Sequence, residues 1–167
     1  GPGGIGKTAL AHRVADDLTA EGQVADVLWL SWAEADRPGA TDGALLDSLA
    51  ERVRPLGGGT DLSRFLSRAR YLVVVDGFDA PSQAPGAVAT LARLPSTTPV
   101  LVTWRTGSST RVGVQSVEVP PLAPEAGLRL LRRELIAQGI PDVALSDDTE
   151  WLPIVAAAGG HPLAVCA

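Results

Sequence analysis

The first eight residues, Gly1-Pro2-Gly3-Gly4-Ile5-Gly6-Lys7-Thr8, constrain this chain more than any other stretch. They fit the pattern of a glycine, four residues, then Gly-Lys-Thr, the signature of a phosphate-binding loop. Gly3, Gly4 and Gly6 carry no Cβ, so the backbone can enter left-handed turns and bring its N–H groups close to a polyphosphate. Lys7 supplies a point charge for the β- and γ-phosphates, and the Thr8 hydroxyl is a ligand for Mg²⁺. A helix starting directly behind the loop places its positive dipole end under the anion. The nucleotide-contacting set is therefore Gly3, Gly4, Ile5, Gly6, Lys7, Thr8 and Ala9. A flexible glycine-rich tail is the alternative. It is disfavoured because the Lys-Thr pair runs straight into a helical pattern, and because Lys7 is the single lysine beside thirteen arginines.

The pattern behind the loop alternates. Residues 8–20 read as a helix with Leu10, Ala11, Val14, Ala15 and Leu18 as one apolar stripe, and His12 pointing away into solvent. Residues 24–32 read as a buried strand in which Trp29 and Trp32 pack. Residues 37–39 form a loop, residues 41–53 a helix with Leu45, Leu46, Leu49 and Val53 inward, and residues 61–69 a short helix. Tyr71-Leu72-Val73-Val74-Val75-Asp76 is a continuous apolar strand ending in a carboxylate. Continuous rather than alternating apolarity means cover on both faces, as in a parallel sheet between helices. A weak helix at 85–94 precedes a third strand, residues 99–105, which ends in Arg105. Residues 112–119 alternate and read as a fourth strand nearer an edge. Strand–helix alternation specifies an α/β doubly wound parallel sheet in three layers.

After Pro120-Pro121 only helices are expected. One starts at Pro124 with Leu128, Leu131 and Leu135 on one face, and a second spans 147–158, where Pro153 must lie in the first turn or kink it. The expected organisation is a nucleotide-binding domain at 1–120 and the start of a small helical lid domain at 121–167, in a chain truncated at both ends.

Composition narrows the partners. A net charge of −5 without a Lys/Arg cluster argues against direct nucleic-acid binding by this piece. No apolar run approaches the ~18 residues of a membrane span and no signal peptide is visible, which predicts a cytoplasmic protein. The single cysteine, Cys166, excludes an internal disulfide and a cysteine-based zinc site, and is expected as a small core residue. One lysine, no methionine and abundant Ala, Arg and Gly suggest a GC-rich bacterial gene.

Ligands of a doubly wound sheet bind at the carboxyl ends of its strands. The phosphate loop, Asp76, Asp79 and Arg105 all fall at such ends. Asp76 has the position of a Walker B carboxylate, holding Mg²⁺ directly or through water opposite Thr8; a turn-forming aspartate is the alternative. Arg105 can reach the γ-phosphate, sensing it or stabilising charge in transfer; a surface arginine is the alternative.

The order of phosphate loop, Asp76 strand, Thr103-Trp104-Arg105 strand, helix start at 122–131 and Gly160-His161-Pro162-Leu163-Ala164 resembles the STAND class of signal-transduction NTPases. The resemblance is to the NB-ARC type found in plant resistance proteins, apoptotic adaptors and bacterial regulators. It implies that Arg105 senses the γ-phosphate, that Pro162 lies against the adenine, and that the helices after residue 120 close over the nucleotide. NB-ARC proteins usually carry a second acid directly after the Walker B aspartate; here it is Gly77. The Asp76-Gly77-Phe78-Asp79 run instead resembles the related NACHT branch, in which a further acid often follows; here that position is Ala80. Asp79 is then the one nearby candidate to orient the attacking water, and slow hydrolysis is expected. In this class a further strand would precede Gly1 and lie between the Arg105 strand and the 112–119 strand, and a winged-helix domain would follow residue 167. An excerpt lacking both is expected to be poorly stable alone.

These features predict an ATP/ADP switch domain with slow ATP hydrolysis and Mg²⁺ as cofactor, within a multidomain bacterial signalling or transcriptional regulator. Its partners would be flanking sensor and effector domains of the same chain and a nucleotide-dependent homo-oligomer. The alternatives are a catalytic P-loop ATPase or kinase, or a nucleotide-binding scaffold that does not hydrolyse. GTP is disfavoured, since no Asn-Lys-x-Asp motif is present.

Overall fold

The computed structural model describes residues 2–32, 43–58, 61–78, 89–105, 115–140 and 147–166. The chain divides into two compact units, Thr8–Thr106, and Gly1–Lys7 with Gly107–Ala167. Along the first run helix α1 (Lys7–Ala20), strand β1 (Asp26–Ser31), helix α2 (Ala44–Val53), a 3-10 turn at Arg54–Leu56, the short helix α3 (Leu62–Leu66), and strands β2 (Tyr71–Phe78) and β3 (Val100–Trp104). The strands form one parallel sheet in the order β1-β2-β3.

The apolar run of β2 puts it in the middle. Leu72, Val73, Val74 and Val75 are all buried. Because strand side chains alternate, Val73 and Val75 join Leu28, Leu30, Leu45, Leu49, Val53, Phe65 and Leu66 on one face. Leu72 and Val74 join Ala11, Ala15 and Val24 on the other. Helix, sheet, helix is the three-layer α/β arrangement of a P-loop NTPase. Leu49 is 0% exposed, so truncating it to alanine costs about 2–5 kcal/mol by emptying this core.

Several local expectations are corrected. In α1 the inward face is Ala11, Ala15 and, partly, Leu18, while Leu10 (46%) and Val14 (36%) stay exposed. Alanine at i and i+4 lets the helix lie close to the sheet, so the buried stripe is narrower than five residues. His12 is exposed but not simply solvated: it stacks on Trp29, ring centroids 3.9 Å apart and planes 9° from parallel. In β3, Thr103 is the one buried residue and Val100 is 37% exposed. Continuous apolarity overstates its cover because, among the described residues, β3 pairs with β2 alone. Residues 115–119 are not a strand, and Val117 is 76% exposed. An alternating segment becomes a strand only when a neighbour takes its backbone hydrogen bonds, and the described residues offer it none. The first part of that segment, 112–114, lies outside the described residues, as do 37–39, 41–42 and 85–88; residues 89–91 of the weak helix are helical.

In the second unit, helix α4 (Pro124–Ala137), helix α5 (Asp148–Ala157) and the four-residue helix α6 (Pro162–Val165) surround Leu128, Leu131, Val155 and Val165. Pro124 occupies the first turn of α4, where a missing N–H is harmless. A Cβ on Gly127 would overlap Val155, so α4 and α5 meet at a glycine. Pro153 lies inside α5, past the first turn, and removes one helical hydrogen bond. The Asp147 side chain caps α5 by accepting from the Thr149 N–H at 3.1 Å. Cys166 is exposed, against the expectation of a core residue; Val165 fills the core beside it. Partial burial and the nearby Glu134 charge push its thiol above the ordinary value. Among the described residues no helix is long and apolar enough to cross a membrane.

Candidate phosphate and cation site

The phosphate loop turns on glycines. Gly4 and Gly6 have φ of 75° and 98°, the left-handed region that glycine enters without strain. Ile5 between them is 3% exposed and anchors the loop. The Lys7 ammonium donates to the Pro2 carbonyl at 2.6 Å, closing the loop on its own backbone.

Residues from the far end of the sequence fasten the same loop. The His161 Nε2 lies 2.7 Å from the Gly3 carbonyl oxygen; since a carbonyl only accepts, the ring nitrogen donates. A Cβ on Gly4 would come within 2.7 Å of His161 Cε1 and 2.9 Å of Leu163 Cβ. The Pro162 ring lies 4.0 Å from the position of a Gly6 Cβ. The His161-Pro162-Leu163 segment is held ready by Gly160, whose φ of 69° carries the chain beneath the Leu122 carbonyl. The Leu122 N–H donates to the Gly160 carbonyl at 2.7 Å.

Thr8 follows Lys7 in α1 and belongs to a second cluster, built on the sheet. Its Oγ1 donates to both oxygens of Asp76, at 2.9 Å to Oδ1 and 3.0 Å to Oδ2. Thr103 Oγ1 donates to Asp76 Oδ1 at 2.6 Å and accepts from the Gly77 N–H at 2.9 Å. Strand β2 does not stop at Asp76: its register shifts between Val75 and Phe78, and Gly77 takes φ of 76° there. That backbone favours glycine, which gives a physical reason for the missing second acid.

Hard oxygens from one hydroxyl and one carboxylate, facing each other, suit Mg²⁺, which takes few protein ligands and keeps the rest for phosphate and water. Among the described residues no group of three or more His, Cys, Asp or Glu could hold a metal ion. The candidate cation residues are Thr8 and Asp76, on the strength of their facing oxygens. Arg105 follows β3 directly, at its carboxyl end, with an exposed side chain. Ala9 is exposed on the first turn of α1, and Pro162 is half-buried at the start of α6. Asp79 lies outside the described residues.

Thr103 and His161 belong to the Thr103-Trp104-Arg105 and Gly160-His161-Pro162 motifs, but the roles those motifs imply fall on Arg105 and Pro162, not on them. A hydroxyl inside an otherwise apolar strand was the available signal for Thr103. For His161 there was none beyond its place between Gly160 and Pro162, because its partner is 158 residues away.

The family model of the NACHT domain matches residues 1–138. A search of curated proteins finds no match. Within the class, the matching branch is the one that the Asp76-Gly77-Phe78-Asp79 run resembles.

Proposed function

Since the chain belongs to the NACHT family, a STAND-class family of nucleotide-binding P-loop NTPases, we propose that it is an adenine-nucleotide switch. ADP holds a closed form, exchange for ATP releases it, and slow hydrolysis resets it. The observation that carries this reading is the Thr8–Asp76 pair, a hydroxyl and a carboxylate joined at 2.9 Å one residue behind Lys7. Lys7 leaves the Pro2 carbonyl to meet the β- and γ-phosphates. Bound Mg²⁺ would neutralise charge on the phosphate oxygens. Thr8 and Asp76 hold that cation, the loop N–H groups bind the phosphates, and Pro162 lies against the adenine. Arg105 senses the γ-phosphate and Asp79 orients the attacking water. Residues 1–120 form the nucleotide domain and 121–167 the beginning of the lid, in a cytoplasmic bacterial signalling or transcriptional regulator with flanking sensor and effector domains. ATP-dependent self-association would transmit the state.

The test is the nucleotide released on denaturing the purified full chain, followed by ATP turnover of wild type, Lys7→Ala and Asp79→Ala. Co-purified ADP, lost in Lys7→Ala, with slow turnover that needs Asp79, supports the switch. Turnover of tens per second, without retained nucleotide, would remove it. Gly77 at φ of 76°, in place of a second acid, favours one other reading, a scaffold that binds nucleotide without hydrolysing it. Retained nucleotide with no turnover would select that reading.

A further inference from the structure

One buried polar group at the strand ends has no part in the chemistry above. Thr103 is 7% exposed, among the few buried polar side chains described. Its hydroxyl has one hydrogen and two lone pairs. The hydrogen goes to Asp76 Oδ1 at 2.6 Å, the short distance of a charge-assisted bond, and a lone pair takes the Gly77 N–H at 2.9 Å. Thr103 thus grips the carboxylate and the left-handed residue directly behind it. The two oxygens of Asp76 are unlike: Oδ1 accepts from Thr103 and Thr8, Oδ2 from Thr8 alone.

We infer that Thr103 is a positioning residue that fixes the orientation of the Asp76 carboxylate, tethering Oδ1 so that Oδ2 is presented to a divalent cation. The inference rests on the reading of Asp76 as the cation-side carboxylate. A threonine here does what a carboxylate behind a metal-bound histidine does elsewhere: it sets the rotamer of a ligand it does not replace. Valine has the same shape without the hydroxyl. Thr103→Val frees Oδ1 from one donor and strips the Gly77 N–H of its acceptor, so the carboxylate can rotate and the turn loosens.

The experiment follows release of a fluorescent ADP analogue from the full chain while MgCl₂ is titrated, with a parallel measurement in EDTA. Wild type, Thr103→Val, Thr103→Ala, Thr103→Ser and Asp76→Asn are compared. Thr103→Val is expected to raise the half-effective Mg²⁺ concentration about tenfold, the scale of a lost outer partner of a metal ligand. Release in EDTA should stay within about twofold of wild type, and Thr103→Ser should restore most of the Mg²⁺ response. Thr103→Ala gives the same reading if the valine variant does not fold. If Asp76→Asn abolishes the Mg²⁺ response and the Thr103 variants keep it, the inference is overturned with the Asp76 reading intact. Equal weakening with and without Mg²⁺ would make Thr103 a structural residue only, and overturns it too. If Asp76→Asn keeps a normal Mg²⁺ response, the Asp76 reading fails and takes the inference with it.

Discussion

The phosphate loop and the strand-end cluster fix polar groups by opposite means. At Gly4 and Gly6 the shape is held by left-handed backbone dihedrals, and Gly4 is also packed closely under His161 and Leu163. At Thr8, Asp76 and Thr103 it is held by side-chain hydrogen bonds. The difference lies in how each can fail. A bond cluster can be dismantled one donor at a time, each step worth about 1 kcal/mol, or about 1.5–3 where the partner is charged. Gly4 admits no such steps, because adding a single methyl group there violates both the dihedral and the packing.

The largest effect should therefore come from the loop. Gly4→Ala forces a Cβ to φ of 75° and to 2.9 Å from Leu163 Cβ, which is near the backbone and cannot swing aside. Left-handed strain of about 1–2 kcal/mol adds to overpacking of about 1–3 kcal/mol. Urea unfolding should show a loss of about 2–5 kcal/mol, together with loss of retained nucleotide. A change below about 0.5 kcal/mol, ordinary for a surface position, would mean that the loop is not held by packing.

Thr8→Val comes next and breaks the cluster rather than the cradle. It removes the donor to both Asp76 oxygens, a loss of about 1.5–3 kcal/mol for a bond to a charged group, discounted toward about 1 because Thr8 is exposed. Thr8→Ser should be close to wild type in thermal unfolding and in nucleotide retention. If serine and valine behave alike, the hydroxyl–carboxylate bond contributes nothing measurable and the contrast between the two regions collapses.

The same contrast explains what was legible in the sequence. Glycines, Lys7 and Thr8 announce a loop by spacing alone, and Leu72–Val75 announce a central strand because four apolar residues in succession need cover on both faces. What remained hidden depends on tertiary neighbours. Leu10 and Val14 match the helical period as well as Ala11 and Ala15 do; only the closeness of α1 to the sheet separates them. Residues 112–119 show the strand alternation, but no partner strand for 115–119 is found among the described residues. Cys166 and Val165 are chemically similar at that level, and which one faces α4 and α5 is decided by the phase of a four-residue helix. The bonds of Thr103 to Asp76 and of His161 to Gly3 join residues 27 and 158 apart, beyond the reach of any local pattern.

His161→Ala tests whether side chains matter to the cradle at all. It deletes the donor to the Gly3 carbonyl at 2.7 Å and leaves the glycine dihedrals alone. One neutral hydrogen bond is worth about 0.5–1.5 kcal/mol, so nucleotide should leave roughly two- to tenfold faster. His161→Gln, which can still donate an N–H, should recover part of this. A collapse as large as that of Gly4→Ala would show that the histidine, not the backbone, sets the loop.

The smallest effect concerns charge in the helical unit that carries the loop. Asp147 caps α5, and hydrogen bonds from the Thr149 N–H hold its carboxyl below the ordinary 3.8, with Arg132 a lesser cause. A depressed carboxyl stabilises the fold above its unfolded pKa, and the gain is lost as pH falls through the lower, folded value. Thermal unfolding followed from pH 6 to pH 3 should therefore show a loss that begins near pH 4 and continues below it. Asp147→Asn keeps a capping oxygen, since asparagine caps about as well as aspartate, but cannot titrate. Its stability at neutral pH should be close to wild type and its acid limb flatter. An equally steep acid limb in Asp147→Asn would place the charge dependence elsewhere in the chain. A flatter one would make the Asp147 carboxylate a titrating support of the loop-bearing unit.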